Sequence, residues 1–178
     1  MSKVKLATVW LDGCSGCHMS LLDMDEQLIA LAERIDLVYG PLVDFKEFPE
    51  WVDVTLVEGA VSSEEDLKKI RTIRAHTKVL VSMGDCAVTG NVPSMRELFP
   101  LKDLLHRVYD ENATLDQQVP QLEVPKLERH VRPVHEVVTV DVFLPGCPPP
   151  AQQIVQVVTE LLEGRVPELA EARFGMRS

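Results

Sequence analysis

Lys5-Leu6-Ala7-Thr8-Val9-Trp10-Leu11, followed by Asp12-Gly13-Cys14-Ser15-Gly16-Cys17, sets the fold class. The first seven residues are apolar or β-favouring almost throughout, the pattern of a parallel strand covered on both faces. The next six make a turn. Beyond it Leu21, Met24, Leu28, Leu31, Ala32 and Ile35 recur at helical spacing, which predicts one helix. Strand, turn and amphipathic helix are the repeating unit of an α/β protein.

The same unit recurs outward from this stretch. Residues 36–40, 52–57, 78–83 and 139–144 read as four more strands. Ser62 or Ser63 caps a helix running to about His76, with Glu64, Glu65 and Asp66 in the first turn, where negative charge suits the helix dipole. A last helix carries Ile154, Val155, Val158, Leu161 and Leu162, stops near Gly164, and takes Pro149 or Pro150 as its first residue. This alternation predicts a doubly wound parallel sheet with helices on both faces. Residues 99–138 hold Pro100, Pro120, Pro125 and Pro133 and one predicted helix at 101–109. They read as an irregular excursion that offers contact surface. Residues 1–178 as a whole read as a single domain, since the length suits one core.

Composition narrows the function. With 46% hydrophobic and 26% charged residues the chain is globular. A net charge of −10 argues against a nucleic-acid surface. No apolar run approaches the roughly 18 residues of a membrane span, and no secretory pattern follows Met1. A cytoplasmic location is therefore expected, and thiols there stay reduced.

The four cysteines fall against this map in a pattern. Cys14 and Cys17 follow the first strand, Cys86 the fourth and Cys147 the fifth. Ligands of an open parallel sheet bind outside the carboxyl ends of its strands, so all four thiols are expected at one edge. Cys86 lies 69 positions after Cys17, and Cys147 another 61 on, so only folding can gather them. Four thiolates suit an iron–sulfur cluster or a structural zinc. A thioredoxin-like dithiol at Cys14 and Cys17, and plain burial, are the other readings of the residues. Gly13 and Gly16 are expected to supply positive φ or close backbone approach in the first loop, and the prolines after Cys147 to stiffen the last.

Asp12-Gly13-Cys14-Ser15-Gly16-Cys17, Gly84-Asp85-Cys86-Ala87-Val88-Thr89-Gly90 and Leu144-Pro145-Gly146-Cys147-Pro148-Pro149 together resemble the small subunit of [NiFe]-hydrogenases. The similarity is greatest to the short small subunit of the cytoplasmic bidirectional NAD(P)-linked enzymes, the HoxY type. The resemblance implies a flavodoxin-like fold and one proximal [4Fe–4S] cluster on Cys14, Cys17, Cys86 and Cys147. It implies a large subunit carrying the Ni–Fe centre, and diaphorase subunits carrying further iron–sulfur clusters, FMN and NAD(P). No Ni–Fe ligand is expected on this chain. FMN is not expected on it either, because cysteines occupy the loop where flavodoxin-like proteins seat the FMN phosphate. Relatives with a twin-arginine leader and more C-terminal cysteines differ from this sequence on both counts. The complex I subunit that holds the last cluster before quinone has the same site, but with two adjacent cysteines in its first motif, whereas two residues separate Cys14 from Cys17.

Other residues carry weaker expectations. Met19 stands where many hydrogenase relatives have a glutamate. His18 is read either as tuning the cluster or moving protons, or as a helix-start residue facing solvent or a partner. His130 and His135 are read as partner contacts, Trp10 and Trp51 as core or interface anchors, and the methionines as core filling.

Overall fold

The computed structural model describes residues 3–167. Five parallel strands form the main sheet: β1 (Val4–Trp10), β2 (Ile35–Tyr39), β3 (Val52–Glu58), β5 (Thr77–Met83) and β7 (Val142–Leu144). Their order across the sheet is β2-β1-β3-β5-β7, which is the flavodoxin-type order, with the reversal of direction between β1 and β3. Trp10 pairs with Glu58, Glu58 with Met83, and Met83 with Leu144. Four strands therefore end in one row, and the loops beyond that row start level with one another.

Alternation along the strands builds two cores. Leu6, Val54, Leu56, Val81, Met83, Val142 and Leu144 face one side, against Leu21, Met24, Leu31, Ile154 and Val158 of helices α1 (Gly16–Leu22), α2 (Glu26–Ala32) and α7 (Ala151–Leu162) and the turn between the first two. Val9, Val57 and Leu80 face the other side, against Ile70 and Ile73 of α3 (Glu64–Ala75). Each such aliphatic chain, buried fully, contributes about 1.5–3 kcal/mol. The α3 cap is as expected: Ser63 Oγ accepts from the Asp66 N–H at 3.1 Å and the Asp66 carboxylate accepts from Ser63 N–H at 3.0 Å. Such caps contribute about 1 kcal/mol.

Three elements differ from the expectation. The single helix after the first turn is two short ones, because Asp25 takes φ 50° and breaks the run. Ile35, whose spacing matched the helix, is the first residue of β2. Pro150 caps α7 from outside, and the helix begins at Ala151. The 99–138 stretch is also less irregular than it reads. β6 (Leu127–Arg132) pairs antiparallel with β4 (Val61–Ser63) in a small second sheet. Arg96 pins that sheet by donating to Ser62 O at 3.1 Å and Glu128 O at 2.8 Å. Between them, α6 (Leu101–His106) and a wide turn (Arg107–Glu111) lead into a loop that runs to residue 126. Among the described residues, no helix is long and apolar enough to cross a membrane.

Candidate metal centre

Cys14 lies in the loop after β1, and Cys17 in the first turn of α1. Cys86 lies in the first turn of α4 (Asp85–Thr89), directly after β5. Cys147 lies between β7 and α7. All four are free thiols; Cys17 and Cys86 are buried, Cys14 and Cys147 exposed. The structure thus sets two sulfurs inward and two toward the surface at the row where the strands end.

The loops are laced together. Gly84 N–H donates to Leu144 O and Asp85 N–H to Gly146 O, both at 2.8 Å. Gly146 N–H returns a bond to the Asp85 carboxylate at 2.7 Å. Ser20 Oγ, on α1, donates to Pro149 O at 2.6 Å. The Cys86 and Cys147 loops are therefore bonded to each other, and α1 is tied to them. Gly84, at φ +84°, packs directly on the Cys17 sulfur, and a methyl group there would overlap it. This is a space kept clear for sulfur. In the first loop it is Ser15, at φ 66°, that takes the left-handed conformation. Gly16 serves close approach instead, since a Cβ there would stand 3.2 Å from the Cys14 sulfur.

Electrostatics join the four thiols into one site. Burial pushes the Cys17 thiol well above its ordinary range, the Glu58 carboxylate adds to the rise, and Cys86, Cys14 and Cys147 contribute further. Cys86 is also raised, chiefly by burial, while a hydrogen bond from the Val92 N–H opposes the rise. A thiol in such surroundings ionises when a metal replaces its proton. Among the described residues, no three Cys, His, Asp or Glu side chains close to the spacing that holds one metal ion. The donor set, four thiols drawn from three loops into one shared field, has the chemistry of a thiolate-held metal group.

The interval from 14 to 161, which starts at Cys14 and includes all four cysteines, matches the family described as NADH ubiquinone oxidoreductase, 20 Kd subunit. The chain belongs to that family. It is 42% identical over 168 residues to the NAD-reducing hydrogenase HoxS subunit delta of Cupriavidus necator, covering 92% of this chain and 80% of that one. It is 39% identical over 168 residues to an F420-non-reducing hydrogenase subunit of Methanocaldococcus jannaschii. That match covers 93% of this chain but 58% of the relative, so the chain spans less than two thirds of that longer protein. A chain of an NAD+-reducing [NiFe]-hydrogenase crystallised in the H2-reduced state superposes with a TM-score of 0.91 at 40% identity, covering 96% of this chain and 97% of that one. A [NiFeSe]-hydrogenase chain of Dm. baculatum, with a TM-score of 0.60 at 19% identity, shares the fold alone.

For this 20 Kd-subunit relative, the residue that sequence reading missed is Glu58. It ends β3, is 1% exposed, and accepts from both the His18 N–H and the His18 ring Nδ1. A carboxylate beside the first cysteine motif is therefore supplied by β3, 40 positions away from His18, and not by position 19, where Met19 is 64% exposed. His18 is buried, not facing solvent; its Nε2 has no hydrogen-bond partner, and the ring borders an apolar cavity of about 70 Å³. Elsewhere, His130 faces Glu97 at 3.7 Å and His135 packs edge-on against Phe143. Trp10 and Trp51 are about half exposed, so neither is a core anchor. Met24 and Met83 fill the core as expected, whereas Met19 and Met95 lie on the surface.

Proposed function

We propose that this chain is the electron-transfer small subunit of a cytoplasmic NAD(P)-reducing [NiFe]-hydrogenase. In this reading Cys14, Cys17, Cys86 and Cys147 hold one proximal [4Fe–4S] cluster. The cluster passes single electrons between the Ni–Fe site of a large subunit and diaphorase subunits that carry iron–sulfur clusters, FMN and NAD(P). Residues 1–178 form one domain serving this relay, and neither Ni–Fe ligands nor FMN belong to it.

One observation carries the reading: three loops at one sheet edge bring four thiols, two buried and two exposed, into one electrostatic neighbourhood. A relay needs this arrangement, because electrons must enter from one partner and leave toward another. The chain's own residues supply the rest. Gly84 keeps the sulfur position clear, the Asp85–Gly146 bonds hold two loops at fixed separation, and Glu58 adds negative charge beside Cys17 and Cys86. The likeness to the NAD+-reducing hydrogenase chain supports the same assignment.

Iron and acid-labile sulfide analysis of anaerobically purified protein, with EPR after reduction, tests the assignment. Four irons per chain and a reduced-cluster signal that Cys86→Ser abolishes or converts are expected. Stoichiometric zinc without iron would overturn it. Ligation displaces protons, so in vitro assembly should slow as pH falls and should release acid into a weakly buffered solution.

A further inference from the structure

The turn after α4 is built unusually. Gly90 has φ +85° and the next residue, Asn91, φ 23°, so two successive residues leave the right-handed region. Asparagine is among the few side chains that tolerate such backbone. The outcome of this bend is directional. Asn91 Nδ2 points at Cys147 Sγ at 3.5 Å. A turn that follows the Cys86 helix thus places a donor on a sulfur from a different loop.

That contact is not needed to hold the fold. α5 (Asn91–Ser94) is a single turn that starts at this bend, and its chain is secured by Ser94 N–H donating to Gly90 O at 3.2 Å. The Cys86 and Cys147 loops are already joined by the Gly84, Asp85 and Gly146 bonds. The amide of Asn91 is spent on sulfur alone. Donors to cluster sulfurs stabilise the more negative, reduced state and so raise the reduction potential.

We infer that Asn91 is a positioning residue that sets the potential of the group held by the four cysteines, its side-chain amide acting on Cys147. The inference rests on the cluster reading above. Its direction follows from charge: with the amide donor removed, the reduced state loses a partner and the midpoint moves negative.

Asn91→Gly removes the amide and relieves the backbone at the same time, so a purely structural role for Asn91 predicts an unchanged or better protein. Asn91→Asp keeps the shape but sets a carboxylate against the sulfur. EPR-monitored redox titration of the purified complex, following the signal that Cys86→Ser removes, reads the midpoint directly. A more negative midpoint in Asn91→Gly, and a further negative shift in Asn91→Asp, both at wild-type iron content, are expected. A wild-type midpoint in either loaded variant would overturn the inference. Loss of iron from both variants would also overturn it, because the contact would then serve assembly. A wild-type protein without iron would sink the cluster reading itself, a result distinct from these.

Discussion

The cysteine edge and the arm between α5 and β6 are both loop-rich surface, yet they are built on opposite plans. At the edge, donors and acceptors are used up internally: Gly84, Asp85, Gly146 and Ser20 tie three loops into one block. On the arm, apolar side chains are left in water. Leu98 is 79% exposed, Leu115 82% and Leu122 87%, with Phe99 and Met95 alongside. Single exposed apolar residues are ordinary, but a run of them over one excursion marks a contact surface. The edge is organised by its own hydrogen bonds, whereas the arm keeps several large apolar side chains exposed, as the proposed partner contact would use.

Three variants would break or sharpen that contrast, in falling order of effect on the chain itself. Gly84→Ala drives a methyl into the Cys17 sulfur and forces a non-glycine residue to φ +84°. Strain of this kind costs about 1–3 kcal/mol, and iron content of the purified protein should fall to near zero. Normal iron in this variant would show that the edge is softer than its bonding suggests. Asp85→Ala removes the acceptor from Gly146 N–H. A hydrogen bond to a charged group is worth about 1.5–3 kcal/mol, so thermal melting should drop measurably and iron occupancy should fall in part. Leu98→Ser combined with Phe99→Ser should leave melting within about 0.5 kcal/mol of wild type, as surface changes do. The same pair should weaken capture of the partner subunits at least tenfold, a loss of about 1.4 kcal/mol. A large drop in melting would mean that the arm is packed on its own chain.

Legibility in the sequence followed the same divide. The edge could be read because strand endings, glycines and cysteines are local signals, and a parallel sheet converts three such signals into one place. Helix α3 could be read because Ser63 and Asp66 lie three residues apart. The break between α1 and α2 could not, since Leu21 to Ile35 keep helical spacing across Asp25 and only the tertiary path turns the chain there. β4 and β6 escaped notice because three residues of one strand find their partner more than 60 positions on. Glu58 escaped for a related reason. At the end of an apolar strand it reads as a strand terminus, and only the row Trp10–Glu58–Met83 sets its carboxylate beside α1.

The wide spacing of the cysteines along the chain has a consequence for biosynthesis. Synthesis proceeds from the N-terminus, and a domain completes only when its last element has emerged. β7 and the loop bearing Cys147 are the final pieces of this sheet to leave the ribosome, after most of the chain has been made. A nascent chain therefore exposes two, then three, thiols that cannot yet close a four-sulfur site. Pairings this distant in sequence also form slowly. On the proposed cluster assignment, loading with iron and sulfide should then follow translation and not accompany it. If the four cysteines hold the proposed cluster, a chain that carries it has by that fact alone already assembled its sheet.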